Sequence, residues 1–296
     1  MIVNKYRLSA NVYDRESEDE RIDVRKVFYL AVEGNLTEVQ YFRGLSKHRK
    51  EARLDYRVDV EVLGRARSDT HSAPGQVVEL LEEYLNLREE GLDSQSIMAG
   101  FPKGFEKTYD VELIKQYLTN PKIISPDVRQ ILETDLQKTG YDIKYRMYLK
   151  NLVKDEDEFG IVIDRDAKST SSEGMEEIIR YCLEKGYKCY ISNPCFELWL
   201  LMHHVDVYDE YKDRMGDLLE NRKVSDMHSF ISRELSEVAG HSKKRIPFKE
   251  NYLPYIDTAV INAKKRPESS DPLFMIDEIG TNIWDLIEHL RKNTEI

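Results

Sequence analysis

The sequence predicts an α/β fold: a mostly parallel sheet flanked by helices, with a helical insertion in its middle and a helical C-terminal region. Three observations predict it. Val27 to Val32, "VFYLAV", is a continuous apolar run of strand length, the pattern of a strand buried on both faces of a parallel sheet. A helix-period segment follows at once, and strand and helix patterns then alternate a second time from residue 56. A second apolar run, "FGIVID" at 159–164, restarts the alternation after a turn-rich and helical interval.

Residues 1–25 read as a polar, charge-mixed leader. After the first strand come Glu33, Gly34 and then "NLTEVQYFRGL", where Thr37 and Gln40 have the spacing of a capping box and Val39, Phe42 and Leu45 recur at helical spacing. "YRVDVEVLG" (56–64) alternates as a second strand, and "GQVVELLEEYLNLREE" (75–90) reads as a second helix. Residues 91–155 look inserted, with "SIMAGFPKGFEKTYD" and the helical pieces "VELIKQYL" and "SPDVRQILETDLQK". The acidic run "KDEDE" at 154–158 reads as a solvated approach to the strand "FGIVIDRD". A helix at 174–186 and a short strand, "KCYIS", follow. Asn193 and Pro194 then give a cap and first-turn signal for a helix through "CFELWLLMHH". The tail is mainly helical and ends in "TNIWDLIEHLRK", where Ile283, Ile287 and Leu290 share a face.

Composition limits the function classes. With 44 Lys+Arg against 55 Asp+Glu the net charge is −11, the wrong sign for a surface that binds nucleic acid non-specifically, so phosphate binding has to be local or metal-assisted. No apolar stretch approaches the roughly 20 residues of a membrane span, and the N-terminus lacks a signal-peptide core, which predicts a cytoplasmic protein without a membrane role. Cys182, Cys189 and Cys195 fit neither a zinc pattern nor a disulfide set and read as core thiols. His203 and His204 are adjacent, so a helix directs them apart, which argues against a histidine zinc site.

Chemistry concentrates at strand tips. In an open parallel sheet the carboxyl ends of neighbouring strands face one crevice, so Glu33 and Asp164, distant in sequence, can meet. Asp164 and Asp166 are two apart, which in extended backbone puts both on one side with Arg165 facing away. Two readings stand: ordinary solvated acids, or carboxylates crowded around a Mg²⁺ or Mn²⁺ ion, the hard cations that oxygen ligands select, in a site suited to phosphodiester chemistry. Lys168 after the pair is either a phosphate ligand or a solvated loop lysine. Basic residues gather at 43–53, at 241–249 (Lys243, Lys244 and Arg245 among them) and at 263–266. With Phe248 and Tyr252 nearby for stacking, they either guide a nucleic-acid backbone or are solvated faces.

Four segments, "AVEGNLTEVQYFRGL", "DEFGIVIDRDAKS", "YISNPCFELWLLMHH" and "TNIWDLIEHL", resemble in order the E-G-x-T-E, D-R-D, S-N-P-x-F-E-x-W and T-N-x-W segments of RloB-like proteins. The resemblance covers about residues 26–90 and 155–293. It implies a Toprim-like fold over 26–205, with a helical C-terminal region at 206–296 packed on it, and a role in prokaryotic anti-phage or abortive-infection loci. It implies that Glu33 is a metal ligand or acid/base group and that Asp164 and Asp166 bind metal. Glu38, in the first helical turn, either reaches that metal or is simply favoured by the helix dipole. Glu197, also at a family position, is implied as a catalytic or second-metal carboxylate. The expected function is a Mg²⁺- or Mn²⁺-dependent endonuclease acting on RNA, tRNA included, in preference to DNA. The alternative is a non-catalytic sensing or tethering subunit that partners an ATPase. "DRDAKST" also resembles loosely the D-x-D-x-T motif of haloacid-dehalogenase phosphatases, but the threonine is displaced to Thr170 and no downstream G-D-x-x-x-D follows.

Overall fold

The computed structural model describes residues 26–34, 36–55, 58–63, 73–89, 108–138, 143, 157–166, 170–226, 228–241, 245–266 and 269–291. The leader, Lys168, Lys243, Lys244 and much of 91–155 lie outside them. The chain divides into two compact units, one of residues 1–21, 65–70 and 82–155, the other of 22–64, 71–81 and 156–296. The division falls within a helix, α2 (Pro74–Glu89).

In the smaller unit two of the expected helices are present, α3 (Val111–Thr119) and α4 (Pro126–Lys138), joined by a 3₁₀ turn at Pro121–Ile123. Asp110 caps α3 by accepting from the Glu112 N–H. Ile114, Tyr117 and Leu118 of α3 and Leu132 and Leu136 of α4 are buried, and Tyr117 donates to Glu133 at 2.8 Å.

The larger unit is built on five strands: β1 (Lys26–Val32), β2 (Val58–Leu63), β3 (Glu158–Asp164), β4 (Lys188–Asn193) and β5 (Gly280–Thr281). Their order is β2-β1-β3-β4-β5; the first four are parallel and β5 runs antiparallel. Val27 to Val32 are all buried, so both faces of β1 are covered, as its unbroken apolar run requires. The register aligns Val32 with Val162 and Asp164 with Ser192, so the carboxyl ends of β1, β3 and β4 stop together.

Helix α1 (Thr37–Lys47) follows β1 and buries Tyr41, Phe42 and Leu45. The capping-box expectation fails: Leu36 is the capping residue with no side-chain cap bond, and Gln40 Oε1 instead accepts the Ile246 N–H at 2.9 Å. Helix α5 (Ser172–Lys185) is capped by Ser171 and closed by Gly186 in the left-handed conformation (φ 75°), a position that favours glycine. Helix α6 (Phe196–Met202) is the hub of the C-terminal region: Phe196, Leu198, Trp199, Leu200, Leu201 and Met202 are all buried. The short helices α7 (Val207–Glu210) and α8 (Met215–Glu220) come next, and α9 (Phe230–Ala239) and α11 (Ile256–Ala263) pack against α6. Between the last two lies α10 (Phe248–Asn251), and α12 (Ile283–Arg291) closes the unit with Ile283, Ile287 and Leu290 buried as their spacing predicted.

Two details are added by the structure. Thr281, ahead of the last helix, pairs with Ser192 in β5, and Asn282 behind it docks on the edge of β4. Asn282 accepts the Ile191 N–H at 2.6 Å and donates to the carbonyls of Cys189 (3.1 Å) and Ser270 (2.9 Å). The end of the acidic run is paired as well as solvated: Asp157 accepts the Val27 N–H, and Glu158 pairs with Lys26 and His289. Burial works to raise the Glu158 carboxyl, but the bonds from His289 and Lys26 outweigh it and hold it down to about 2. The three cysteines are free and buried. No helix among the described residues is long and apolar enough to cross a membrane.

A candidate carboxylate site at the strand tips

The sheet's carboxyl edge gathers acids from four segments. Glu33 follows β1, and its N–H continues the ladder to Val162 O at 3.0 Å. Its side chain crosses to the neighbouring strand, where Oε2 accepts the Asp164 N–H at 2.8 Å. Glu38, in the first turn of α1, turns back so that Oε1 accepts the Gly34 N–H at 3.1 Å. Asp164, the last residue of β3, accepts the Phe196 N–H through Oδ1 at 2.9 Å and so caps α6 from a different segment of the chain. Glu197 lies in the first turn of α6.

The four carboxylates lie close enough for their charges to act on one another. Burial raises the Asp164 carboxyl well above the carboxylate range, and the charges of Glu38, Glu33 and Glu197 raise it further. Burial also pushes Glu38 up to about 7, with Glu197 and Glu33 adding to the effect. Glu38 is buried, in the first turn of α1. Four carboxylates this close repel one another, and the cluster answers by holding protons or by taking up a cation.

Gly34 has a reason other than a sharp turn. A Cβ built there would lie 1.9 Å from Glu38 Oε2, so the glycine leaves the room that the buried carboxylate fills. The Cys195 thiol, between β4 and α6, is buried and pushed up by burial and by the charges of Glu197 and Asp164; Asn221 Nδ2 lies 3.3 Å from its sulfur.

Arg165 points away from the acids, as expected from its parity, and the structure shows what it holds. It is buried and donates to the carbonyls of Ile276 (3.0 Å) and Thr170 (2.9 Å) and to Ser172 Oγ (2.9 Å). Asn193 is not the helix cap and Pro194 is not helical. Asn193 ends β4 and donates to Glu278 O at 3.1 Å and Ile276 O at 3.4 Å, while the α6 N–H it was expected to satisfy goes to Asp164.

The remaining expected site residues are spread differently. β3 ends at Asp164, and Asp166, two residues beyond it, is exposed. Lys168, Lys243 and Lys244 lie outside the described residues; Arg245 is exposed. Phe248 and Tyr252 are 5 % and 0 % exposed, so neither can stack on a base. Tyr252 instead packs among Tyr41, His203 and His204, and its hydroxyl meets His241 Nε2 at 2.7 Å. His203 is buried, with Nδ1 against Trp199 O and Nε2 against the Tyr41 hydroxyl, and burial lowers its pKa to about 3. It is a neutral core residue.

The donor set of the cluster is all oxygen, which suits Mg²⁺ or Mn²⁺. In the arrangement described, three of the carboxylates each spend one oxygen on a backbone N–H, and among the described residues no three donors stand ready to hold a metal ion. The model of one protein family, described as RloB-like protein, matches residues 28–290, which include all four acids. No curated protein and no solved structure matches the chain.

Proposed function

Because the chain belongs to the RloB-like family, we propose that it is a metal-dependent nuclease of Toprim type that cleaves phosphodiester bonds, RNA and tRNA ahead of DNA, as an anti-phage defence effector. The observation that carries this reading is the convergence of Glu33, Glu38, Asp164 and Glu197, where burial first and the neighbouring charges of Glu197 and Glu33 after it push the Glu38 carboxyl to about 7. The residues fit a hard divalent cation in donor chemistry and in excess negative charge. Glu33, Asp164 and Glu197 would hold it after closing in from their present positions, which form no ready three-donor group, with Glu38 beside them and Asp166 at the exposed margin. The chemistry such an ion supplies is polarisation of a phosphate oxygen and acidification of a water.

The chain's own groups divide the work. The Asp164 N–H fixes Glu33, and the Phe196 N–H fixes Asp164, so both carboxylates keep their positions without a cation. Glu38 is able to exchange a proton at neutral pH, the property a general base needs. Arg165 fixes the loop after β3 rather than binding substrate. The test is incubation of the purified protein with tRNA and with plasmid DNA in Mg²⁺ or Mn²⁺. Cleavage by the wild type that disappears in Glu33→Gln and Asp164→Asn is expected; equal cleavage by these variants overturns the reading.

One observation favours the second reading, a non-catalytic sensing or tethering subunit beside an ATPase. The backbone bonds of Glu33, Glu38 and Asp164 tie β1, β3, α1 and α6 together, which is a structural use of the same acids. Toxicity and ATPase co-purification that survive Asp164→Asn would select it.

A further inference from the structure

Two basic runs some two hundred residues apart in sequence meet in the fold. Arg43 and Lys47 lie one turn apart on the face of α1 that points away from its buried residues Tyr41, Phe42 and Leu45, and both are exposed. Lys50 continues the line in the turn after the helix and is exposed too. The adjoining side of α1 carries Gln40, Gly44 and His48, and the segment 245–249 is seated on it. Gln40 Oε1 accepts the Ile246 N–H, a Cβ on Gly44 would lie 2.4 Å from the Phe248 ring, and His48 stacks on Phe248 with 18° between the rings. Phe248 is thus the wedge that fixes Arg245 and Lys249, both exposed, beside Arg43 and Lys47.

Acids border this strip, exposed Glu250 beside Lys249 among them. Glu61 of β2 lies within reach of the Arg43 charge, Asp59 is taken up by the Ser46 hydroxyl, and Glu51 is shared between His48 and the charge of Lys249. On a chain of net charge −11 a five-cation strip is a local feature, and salt at about 0.1 M confines its field to about 10 Å, so its partner has to be anionic and has to lie on it. α1 begins at the carboxylate cluster, with Glu38 in its first turn, so a polyanion on the strip would be led toward the acids.

We propose that the solvent face of α1 and the segment 245–249 form a docking strip for the sugar-phosphate backbone of nucleic acid. The choice of nucleic acid over an acidic protein rests on the nuclease reading. With Phe248 and Tyr252 buried, the strip offers charges and no aromatic platform, so it reads phosphates and not bases.

The test is binding of a fluorescent single-stranded RNA 20-mer, and of the DNA of the same sequence, by anisotropy in EDTA, so that affinity is read apart from cleavage. The variants are Lys47→Glu with Lys249→Glu, the milder Lys47→Gln with Lys249→Gln, and a control, Lys188→Glu with Lys212→Glu, that changes net charge by the same amount as the first at other exposed positions. The strip reversal is expected to weaken binding at least about tenfold and to lower the slope of log K against log salt by about 1.4, two phosphate contacts at about 0.7 each. The Gln pair is expected to show a smaller loss and the control none. Equal loss in strip and control variants, no binding by the wild type, or preference for polyglutamate over RNA overturns the strip. Failure of the nuclease reading shows separately, as wild-type binding without cleavage in Mn²⁺.

Discussion

Replacing Glu38 by glutamine should stabilise the protein at alkaline pH and leave it unchanged in acid. The carboxyl is buried among Glu197, Glu33 and Asp164, and its value rises from the usual 4.5 to about 7. Below pH 4.5 folded and unfolded chains both carry the proton. Between 4.5 and about 7 the folded chain keeps a proton that the unfolded chain has lost, so stability falls as pH rises, and above about 7 the whole difference is felt. That difference corresponds to about 3 kcal/mol. Glutamine fills the same volume, keeps an oxygen for the Gly34 N–H and carries no charge. Urea denaturation in EDTA from pH 4.5 to 8 should therefore show wild type and Glu38→Gln together at the acid end, diverging to about 3 kcal/mol in favour of the variant at pH 8. Part of that gain belongs to Asp164, whose own carboxyl is relieved of a neighbouring charge. Parallel stability curves, or a variant less stable than wild type at pH 8, would refute the claim that these acids form one repelling group.

Three other outcomes follow from the same contacts. Arg165→Ala leaves two buried carbonyls and the Ser172 hydroxyl without their charged donor and should cost about 3–5 kcal/mol in urea denaturation, with lysine recovering only a part because it lacks the planar fork. Asn282→Ala removes two bonds that hold the β5 turn to β4 and one to Ser270, which should cost about 2–4 kcal/mol and speed amide exchange at Ile191. Glu158 works in the opposite sense to Glu38. Its carboxyl is held down to about 2, so its stabilisation is present above the usual 4.5 and lost as pH falls toward 2, and Glu158→Gln should flatten that acid limb in thermal melts.

The fold was legible where one-dimensional pattern and burial coincide. β1 and β3 are apolar without interruption because both faces are covered, and Ile283, Ile287 and Leu290 repeat at helical spacing because one side of α12 is buried. The errors occur where a bond is made by a residue distant in sequence. Thr37 and Gln40 have the spacing of a cap, yet Ile246 claims the Gln40 carbonyl, and nothing local to "NLTEVQ" announces a partner at that distance. Asn193 and Pro194 look like a helix start, but the α6 N–H is satisfied by Asp164 from the adjacent strand. Nothing in the sequence of Thr281 and Asn282 announces the edge of β4 that makes them a strand and a bracket.

The acids of the D-R-D motif differ in exposure. Period-two alternation places Asp164 and Asp166 on one side, with β3 itself ending at Asp164. Beyond that point Arg165 governs the chain: its backbone N–H still joins Ser192 O at 2.8 Å, while its guanidinium grips Thr170 and Ser172 at the head of α5 and Ile276. Asp164 stays inside, within reach of Glu33, Glu38 and Glu197, and Asp166 goes to solvent. The fourth member of the cluster comes from α6, whose first amide Asp164 caps, so one carboxylate both closes the helix and brings Glu197 to the group.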